Sequence, residues 1–422
     1  MIKPQTLKGF RDFLPLEARK RQYLITTLTS IFERFGFEQM ETPVLEYEEI
    51  LAGKYGFEGE KLMYRFEDLG KRRVAMRYDQ TVPLARVIAQ YLPAARLPAG
   101  QGRQGQNQIT SPFKRYQISP VWRAENTQKG RYREFLQCDI DTVGTDSLLA
   151  DAELLATVYE CFKALRLNIC IKYNDRALLK QISTNALPVL DKLNKIGEEG
   201  VLKELTQKGF THQESQNLLK QAKSFQESLH LLEIKNKYAQ MGYPEDSLQF
   251  DGTLIRGLDY YTGMILEVVL KNEPNSLSLG GGGRYNNLIG LFTKNQIPAV
   301  GFSFGFDRIL ETMAHLNLFP KDLNESSTQI LITIFSEKQK GKSLEICSIL
   351  RTNNINTEIY LGKIKEKNPL EKQLKYADQK GIPLCVIIGP EEIEKNIITL
   401  KNLQTRQQQK LTLDELTTIL SA

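Results

Sequence analysis

The stretch from Arg96 to Glu134 concentrates positive charge and aromatic rings in a way that suits a polyanionic ligand. It carries eight Lys and Arg residues against two Glu residues, and the resulting +6 equals the net charge of the whole chain. Tyr116, Trp122 and Tyr132 lie among these cations. Guanidinium groups bind phosphate oxygens through paired hydrogen bonds and stack on flat rings, so the stretch is typical of a nucleotide site. A basic loop left in solvent is the alternative, and the strand-like flanks of the stretch argue against it.

Two other segments supply carboxylates and amides. Asp79 and Thr81 follow a strand-like run and precede a predicted helix. Gln137, Asp139 and Asp141 recur at every second position, so on a strand they share one face. Carboxylates are almost never buried without partners, and a core explains such a face poorly. We therefore interpret these residues as a ligand-binding face beside the arginine-rich stretch.

Three weaker signals lie further along the chain. Gly280–Gly283 fits neither a P-loop nor a dinucleotide fingerprint, so it is either a tight turn or a backbone that a ligand approaches closely. Arg256 precedes a buried-looking strand. A ligand-binding role for this arginine and a structural ion pair with Asp259 are equally good interpretations. Arg308 is predicted to begin a helix, where it opposes the helix dipole and so fits an anion site better than it fits stability.

The composition excludes several classes of chemistry. Three His residues and five widely spaced Cys residues, without a C-x-x-C motif, disfavour catalytic triads, disulfide frameworks and protein-bound zinc. The start of the chain has no signal-peptide core, and no apolar run reaches the ~18 residues of a membrane helix. We therefore expect a cytoplasmic protein without a membrane partner, in which any catalysis relies on arginines, carboxylates and Mg²⁺.

Changes in composition divide the 422 residues into four segments. Residues 1–172 and 249–325 show mixed helix and strand patterns, and residues 173–248, rich in Lys, Gln, Glu and Leu, form a predicted helical insertion. A polar linker, Lys321 to Thr328, precedes a separate parallel α/β domain at residues 328–422.

Periodicity predicts the elements within these segments. Helices are expected at Leu24–Phe35, Leu148–Leu165 and Leu370–Lys380, the last ending at Gly381, and strands at Tyr116–Arg123 and Ile265–Leu270. Thr412 and Glu415 form a capping box for the last helix. One helix face, either a core face or a coiled-coil contact, is predicted from the spacing of Leu218, Ala222, Phe225, Leu229 and Leu232.

These segments together resemble the histidyl-tRNA synthetases, a family of class II aminoacyl-tRNA synthetases. Gly36 to Leu45, around Pro43, resembles motif 1, which in the family builds the dimer interface. Tyr116 to Phe135 resembles motif 2, and Gly301 to Leu310 resembles motif 3. Leu254 to Tyr261 and Gly282 to Tyr285 match the two signatures of the histidyl branch. The resemblance covers nearly the whole chain and implies an α+β core, built on an antiparallel sheet with helices, and a terminal α/β anticodon-binding domain.

The resemblance also implies roles for individual residues. Arg123 and Arg256 are the implied catalytic residues, placed on opposite sides of the ATP α-phosphate, with Arg256 where relatives use a metal ion. The implied histidine-binding residues are Asp79, Gln80, Thr81, Arg123, Gln137, Asp141, Arg256, Tyr260 and Tyr261. The implied ATP-binding residues are Arg123, Glu125, Arg131, Tyr132 and Arg308, and Gln128 and Lys129 are implied to contact the tRNA acceptor end. Asp79 stands where the family often has Glu, so its carboxylate is one methylene shorter.

The activity implied by the resemblance is activation of L-histidine by ATP, with Mg²⁺, and transfer to the 3′ end of tRNA(His) by a homodimer. Two other interpretations stay open. A regulatory subunit of ATP phosphoribosyltransferase resembles the catalytic core but lacks the terminal domain present here. A non-catalytic RNA-binding module is the third. Lys363, Lys365 and Lys367 follow a predicted strand of the terminal domain, where they form either an anticodon contact or a solvated loop.

Overall fold

The structure, a computed structural model, describes residues 2–54, 56–92, 109–127, 130–255, 261–273, 277–293, 295–324, 326–364 and 367–421. It divides into two compact units, Met1–Leu318 and Phe319–Ala422. In these ranges, no helix combines the length and apolar character needed to cross a membrane.

The first unit opens on a long helix and continues with alternating strands and helices. Its first half contains α1 (Pro15–Arg34), β1 (Glu38–Gln39), β2 (Leu45–Tyr47), α2 (Glu48–Leu51), α3 (Gly56–Lys61), β3 (Arg65–Glu67), β4 (Arg73–Met76), α4 (Thr81–Tyr91), β5 (Phe113–Trp122), β6 (Glu134–Val143), α5 (Leu148–Ala164) and β7 (Ile169–Asp175). The helix predicted from Leu24 is confirmed but begins earlier, at Pro15, because proline fits the first turn of a helix.

The second half of this unit starts with the helical insertion and returns to the sheet. It contains α6 (Arg176–Leu179), α7 (Leu187–Leu190), α8 (Leu193–Gln207), α9 (His212–Ser224), α10 (Leu229–Gln240), β8 (Leu248–Phe250), β9 (Met264–Leu270), β10 (Gly280–Tyr285), β11 (Ala299–Phe304) and α11 (Phe306–His315). Gly280–Gly283 lies within β10, so the interpretation of this cluster as a tight turn is wrong.

Eight of the eleven described strands of this unit form one sheet in the order β1-β5-β6-β11-β10-β9-β7-β8. Only the outer pairs β1–β5 and β7–β8 are parallel, and all the inner neighbours are antiparallel. The antiparallel core that the resemblance implied is therefore confirmed. A smaller three-stranded sheet has the order β2-β4-β3.

One face of the large sheet packs against α1 and α5 through a cluster of aromatic side chains, the aromatic core. The ring centroid of Phe304, on β11, lies 5.4 Å from that of Phe32 on α1 and 5.7 Å from that of Phe162 on α5. Because side chains alternate along a strand, the residues between the aromatic positions of β11 face the other side. Those positions are Gly301 and Ser303, so β11 presents only small side chains to the face opposite the core.

The helix face predicted in the insertion is wrong at its carboxyl end. Helix α9 ends at Ser224, and α10 begins only at Leu229, where the Ser228 hydroxyl accepts a hydrogen bond from the Leu231 amide at 3.2 Å. This cap interrupts the helical repeat, and Leu229 is 85% exposed. Leu232 is also exposed, whereas Ala222 is buried. The regular spacing spans two helices and does not form one face.

The second unit is a mixed α/β sheet with helices. It contains β12 (Ile330–Ile332), α12 (Lys340–Thr352), β13 (Thr357–Ile359), α13 (Glu371–Lys380), β14 (Leu384–Ile387), α14 (Pro390–Glu394), β15 (Ile398–Asn402), β16 (Gln408–Leu411) and α15 (Leu413–Ser421). The strand order is β13-β12-β14-β15-β16.

The prediction of a parallel sheet holds only for β13, β12 and β14. Strands β15 and β16 are antiparallel, since the short turn between them can join only antiparallel neighbours. The predicted helix ends are confirmed. Gly381 adopts a left-handed conformation after α13, with φ of 72°. The Thr412 hydroxyl accepts from the Glu415 amide at 3.3 Å, while the Glu415 carboxylate accepts from the Thr412 amide at 2.7 Å.

A buried ion pair joins β10 to α5 on the helix-covered face of the sheet. Arg284 Nε donates to both carboxylate oxygens of Asp151 at 3.0 Å, and Nη1 and Nη2 donate to the carbonyls of Thr145 and Ser147 at 3.0 and 3.2 Å. Both charged side chains are nearly inaccessible to solvent. Loss of the arginine would leave a buried carboxylate and two carbonyls without their donors.

We expect Arg284→Met to lower the free energy of unfolding by ~3 kcal/mol, because an uncompensated charge then remains buried. Urea unfolding followed by fluorescence of Trp122, the single tryptophan of the chain, measures this in the first unit. Arg72→Met is the matched control, since Arg72 pairs with Asp68 on the surface, and it should change stability by less than ~1 kcal/mol. Equal effects of the two substitutions would contradict a structural role for the buried pair.

Candidate active site

A layer of buried polar side chains covers the open face of β5 and β6. In the antiparallel register Arg115 lies opposite Asp141, and Gln117 lies opposite Asp139, with Gln137 two residues before. All five are less than a tenth exposed. We call Arg115, Gln117, Gln137, Asp139 and Asp141 the polar layer. The strand that places the last three on one face is β6, as the sequence predicted.

At one end of the polar layer, Asp141 lies between two donors. Arg115 Nη2 lies 2.6 Å from one of its carboxylate oxygens, and the Tyr285 hydroxyl donates to the other at 2.5 Å. Burial raises the pKa of Asp141, while the guanidinium and the tyrosine hydroxyl oppose that rise. Nε and Nη1 of Arg115 have no hydrogen-bond partner among the described residues. The carboxylate is therefore held in one orientation, beside a guanidinium with unused donors.

Gly301 makes this packing possible. It lies opposite Asp141 in the β6–β11 register, and a Cβ atom added to it would lie 1.9 Å from Asp141 Oδ1. On the next strand, a Cβ atom at Gly282 would meet the Gly301 carbonyl at 2.0 Å. Glycine is required at both positions by the neighbouring strand and its side chains.

In the middle of the polar layer, Gln137 Nε2 donates to Asp139 Oδ2 at 2.6 Å. Burial raises the pKa of Asp139 to about 7, with a further rise caused by Asp141. Arg115, together with hydrogen bonds from Ser303 and Gln137, acts in the opposite direction. Asp139 therefore changes its charge near neutral pH.

The segment before α4 closes the layer from one side. Gln80 Nε2 donates to Ser119 Oγ at 2.9 Å and to the carbonyls of Ser119 and Gln137, both at 3.0 Å. Asp79 Oδ1 accepts from the Val82 amide at 3.1 Å, and Thr81 is the first residue of α4. The structure thus brings Gln80 against the strands that carry the polar layer, with Asp79 and Thr81 on either side of it in the chain.

Arg123 is fixed just beyond the end of β5. Its Nε donates to the Tyr78 carbonyl at 3.1 Å, and its guanidinium lies 4.4 Å from the ring centroid of Tyr78 and 5.2 Å from that of Phe135. In the same hairpin, Arg131 Nη1 lies 3.7 Å from Glu125 Oε2, and its side chain is half exposed. One arginine is thus preorganised, whereas the other is accessible.

The amino-terminal segment connects this hairpin to α11. The Arg11 guanidinium lies 3.2 Å from the ring centroid of Tyr132, and Nη2 lies 3.0 Å from Asp307 Oδ2. Arg21 also contacts Asp307, at 3.3 Å. Next to this aspartate, Arg308 Nη1 donates to the Ser278 carbonyl at 2.8 Å, near the start of α11, as predicted.

Sequence reasoning missed the partners that fix these residues. It counted Arg115 only as positive charge and gave no contact to Arg11. The alternation of Arg115 with Gln117 along β5, which mirrors that of Asp139 and Asp141 along β6, is a signal that could have found the polar layer.

Four of the predicted site residues lie in segments that the structure does not describe. Arg256, Tyr260, Gln128 and Lys129 lie outside the described residues. Tyr261 is buried. It lies next to β10, since a Cβ atom added to Gly283 would be 2.9 Å from Cδ1 of the tyrosine ring. Gly283 faces the same side of the sheet as Gly301, so Tyr261 lies on the side of the polar layer. Among the described residues, no group of three or more His, Cys, Asp or Glu side chains could hold a metal ion.

Comparisons with known proteins match both units. A family model described as "Histidyl-tRNA synthetase" matches residues 9–309, and one described as "Anticodon binding domain" matches residues 329–422. A curated relative from Cytophaga hutchinsonii, named histidine--tRNA ligase, is 40% identical over 98% of this chain and 99% of its own length.

Two solved structures extend the comparison. Histidyl-tRNA synthetase from Nostoc sp. PCC 7120 superposes with a TM-score of 0.80 at 29% identity, covering 100% of this chain and 99% of its own. A Bacillus halodurans C protein described as an ATP phosphoribosyltransferase regulatory subunit/histidyl-tRNA synthetase has a TM-score of 0.68 at 20% identity. It covers 88% of this chain and 97% of its own, and at this identity the likeness shows the fold alone.

We expect Asp139→Asn to stabilise the protein more as pH rises. The native state holds the Asp139 proton up to about pH 7, whereas the unfolded chain loses it near the ordinary pKa of 3.8, so the wild type loses stability as pH rises between these values. Asparagine has no such charge. Urea unfolding followed by Trp122 fluorescence should give a difference, variant minus wild type, that grows by more than ~1 kcal/mol from pH 5 to pH 8. A difference that is constant with pH would contradict the raised pKa.

Proposed function

The chain belongs to the histidyl-tRNA synthetase family and is an aminoacyl-tRNA ligase, and from this premise we propose how its residues divide the work of the reaction. The enzyme activates L-histidine with ATP to histidyl-adenylate and transfers the histidyl group to the 3′ end of tRNA(His). The observation that carries the proposal is that the family match over residues 9–309 contains the whole polar layer and the arginines around it.

In the first step, a carboxylate oxygen of histidine attacks the α-phosphorus of ATP. The bond from this phosphorus to the bridging oxygen breaks, and pyrophosphate leaves. Negative charge grows on the α-phosphoryl oxygens in the transition state, so fixed cations accelerate the step. Arg123 is suited to this role, because the Tyr78 carbonyl and two rings hold its guanidinium in place before ATP arrives. We assign the opposite side of the phosphate to Arg256.

ATP is the second substrate, and we propose that it enters with Mg²⁺ on its phosphates. Arg131 and Arg308 are placed with the β- and γ-phosphates, and Glu125 and Tyr132 with the nucleoside. The contact of Arg11 with both Tyr132 and Asp307 supports this division, because it ties the hairpin of Arg131 to the helix that carries Arg308.

Histidine is assigned to the polar layer. Carboxylate and amide oxygens from Asp79, Gln137 and Asp141 suit a ligand with an ammonium group and ring N–H donors. Gln80 supports this wall through its three hydrogen bonds to Ser119 and Gln137. Thr81, Tyr260 and Tyr261 complete the proposed histidine-binding set. In the second step, a ribose hydroxyl of the terminal adenosine of tRNA attacks the adenylate carbonyl carbon, and AMP leaves.

Transfer needs tRNA, which we propose contacts both units. Gln128 and Lys129 are assigned to the acceptor end, and the second unit to the anticodon. Lys363 and Lys367 are exposed after β13, and neither has an ion-pair partner within the described ranges. By contrast, Lys395 and Lys410 both pair with Glu391. Lys365 lies outside the described residues.

We further propose a homodimer located in the cytoplasm. Val44 and Leu45, at the end of the motif 1 segment, and Tyr47 just after it are between 42% and 53% exposed, and such a cluster of exposed apolar side chains suits an interface with a partner. All five cysteines are buried free thiols, as is typical of proteins from a reducing compartment.

The regulatory-subunit interpretation is the weaker one. It predicts a chain that lacks the second unit, whereas residues 329–422 match an anticodon-binding family here. Histidine-dependent exchange of pyrophosphate into ATP separates an enzyme from a regulatory subunit or an RNA-binding module. Equal exchange with phenylalanine or glutamine would contradict the assignment of histidine.

We expect Arg123→Ala to lower kcat of histidine-dependent pyrophosphate exchange by ~10²-fold or more, as for removal of an oxyanion donor. Arg123→Lys should also be impaired, because a point charge does not reproduce the planar fork that Tyr78 and two rings hold. Arg406→Ala, an exposed arginine of the second unit, is the control and should retain normal exchange. A nearly normal kcat with a raised KM for histidine would assign Arg123 to ground-state binding only.

We expect the double substitution Lys363→Ala with Lys367→Ala to raise KM for tRNA severalfold and to reduce its dependence on salt, since each lost phosphate contact lowers the number of released counterions. Pyrophosphate exchange without tRNA should be unchanged. The matched control is Lys395→Ala with Lys410→Ala, which removes two lysines that both pair with Glu391. If both pairs changed KM equally, net charge would explain the effect and the anticodon assignment of this loop would be wrong.

A further inference from the structure

Gln137 is held by one neighbour that the activity described above does not use. Its Nε2 lies 2.6 Å from Asp139 Oδ2, two residues along the same face of β6. Its other polar atom, Oε1, is buried and has no hydrogen-bond partner among the described residues. The two ends of this amide therefore differ in their surroundings: Nε2 is hydrogen-bonded to Asp139, and Oε1 has no partner within the described residues.

The hydroxyl group nearest in register is already occupied. Ser119 lies directly opposite Gln137 across β5 and β6. Its hydroxyl oxygen already accepts from Gln80 Nε2 at 2.9 Å and from Gln117 Nε2 at 3.1 Å, and its carbonyl also accepts from Gln80. An oxygen with two donors has no lone pair left for a third. Without Asp139, the Gln137 amide would lose the one side-chain hydrogen bond that the described residues give it.

We propose that Asp139 is a positioning residue for histidine binding: by accepting from Gln137 Nε2, it holds the amide with Oε1 available to accept from the α-ammonium group of the substrate. The inference rests on the proposed function, in which Gln137 binds histidine. The opposite orientation would present an N–H donor to a cation, which is repulsive. Asp139 contributes through the orientation of Gln137 and does not itself touch the substrate.

The charge of Asp139 decides whether this orientation is enforced. A carboxylate can only accept, so it fixes the NH₂ end of the amide towards itself. A protonated carboxyl can also donate to Oε1, which makes the turned amide acceptable. The charged and titratable groups that face Asp139 are Arg115 from β5 and Asp141 on β6, the latter bonded to Tyr285 from β10. Burial places the pKa of Asp139 at about 7, so the orientation weakens as pH falls through neutrality.

Two substitutions test the proposal with different chemistry. Asp139→Ala removes the acceptor, and we expect it to raise KM for histidine by about tenfold or more, the range for hydrogen bonds to charged groups. Asp139→Asn keeps the size but permits both orientations, so we expect an increase of about threefold. Neither should change KM for ATP by more than about twofold. Both kinetic constants come from histidine-dependent pyrophosphate exchange at pH 8.

A double-substitution cycle with Gln137→Ala gives the control. If Asp139 acts through Gln137, Asp139→Ala should have no further effect on KM for histidine once Gln137 is alanine. Additive effects of the two substitutions would overturn the proposal, because Asp139 would then act on the substrate or the fold independently. A purely structural role would also be revealed by parallel losses of stability and of affinity in Asp139→Asn, whereas we expect affinity to fall without a loss of stability at pH 8.

The pH dependence of KM for histidine gives a further test, because a change in packing alone would not alter it. The imidazole and ammonium groups of the substrate titrate equally with every variant. The KM for histidine of Asp139→Asn divided by that of the wild type therefore reports only the ionisation of Asp139. We expect this ratio to fall towards one between pH 8 and pH 6. A ratio that stays constant would overturn the proposal.

Failure of the proposed function has a different signature. Unchanged KM for histidine in Gln137→Ala would show that Gln137 does not bind the substrate, and both assignments would be wrong. A raised KM in Gln137→Ala with normal KM in Asp139→Ala would overturn only the positioning role.

Discussion

The ion pair between Arg115 and Asp141 is the interaction on which the arrangement of the site depends. An isolated carboxylate at that depth would favour its neutral form, and burial does raise the pKa of Asp141. Arg115 on the opposing strand opposes this rise, and the register of β5 and β6 places the two directly across from each other. A slip of β5 by one residue against β6 would turn Arg115 to the aromatic core and leave Asp141 without it. The register of the β5–β6 hairpin therefore also determines the charge state of Asp141, because it places Arg115 next to that carboxylate.

The glycines of β10 and β11 leave the space that this ion pair and its strands need. Gly301 leaves room for the Asp141 carboxylate, and Gly282 leaves room for the Gly301 carbonyl. Strands that lack side chains are weak in isolation, because glycine loses more conformational entropy on folding than other residues. Here β10 and β11 are central strands with partners on both sides, and Arg284 anchors β10 to α5 from the opposite face. The helix-covered side thus stabilises strands whose open side carries the proposed binding site.

Sequence patterns predicted the parts of the molecule that depend on local periodicity. The alternation of Gln137, Asp139 and Asp141 predicted a strand face, and the placement of Arg308 at a helix start is confirmed, because each depends on a few adjacent residues. The break between α9 and α10 was not predicted. The hydrophobic spacing in the sequence continues past Ser228, but the helix does not, because Ser228 caps a new helix. The contacts of Arg115 and Arg11 depend on strand register and on chain segments far apart in sequence, which no periodicity encodes.

The polar groups left without partners explain how the site can select its ligand. Gln80 Oε1, Gln137 Oε1 and two nitrogens of Arg115 are buried and lack partners within the described part of the chain, which costs free energy in the ligand-free protein. A ligand that supplies matching donors and acceptors removes this cost, whereas one that lacks them leaves it in place. Discrimination by a site built for hydrogen bonds is stronger than discrimination by size alone for this reason. Asp139 follows the same logic, since the buried carboxyl whose raised pKa lowers stability as pH rises towards 7 is also, once ionised, the acceptor that orients Gln137.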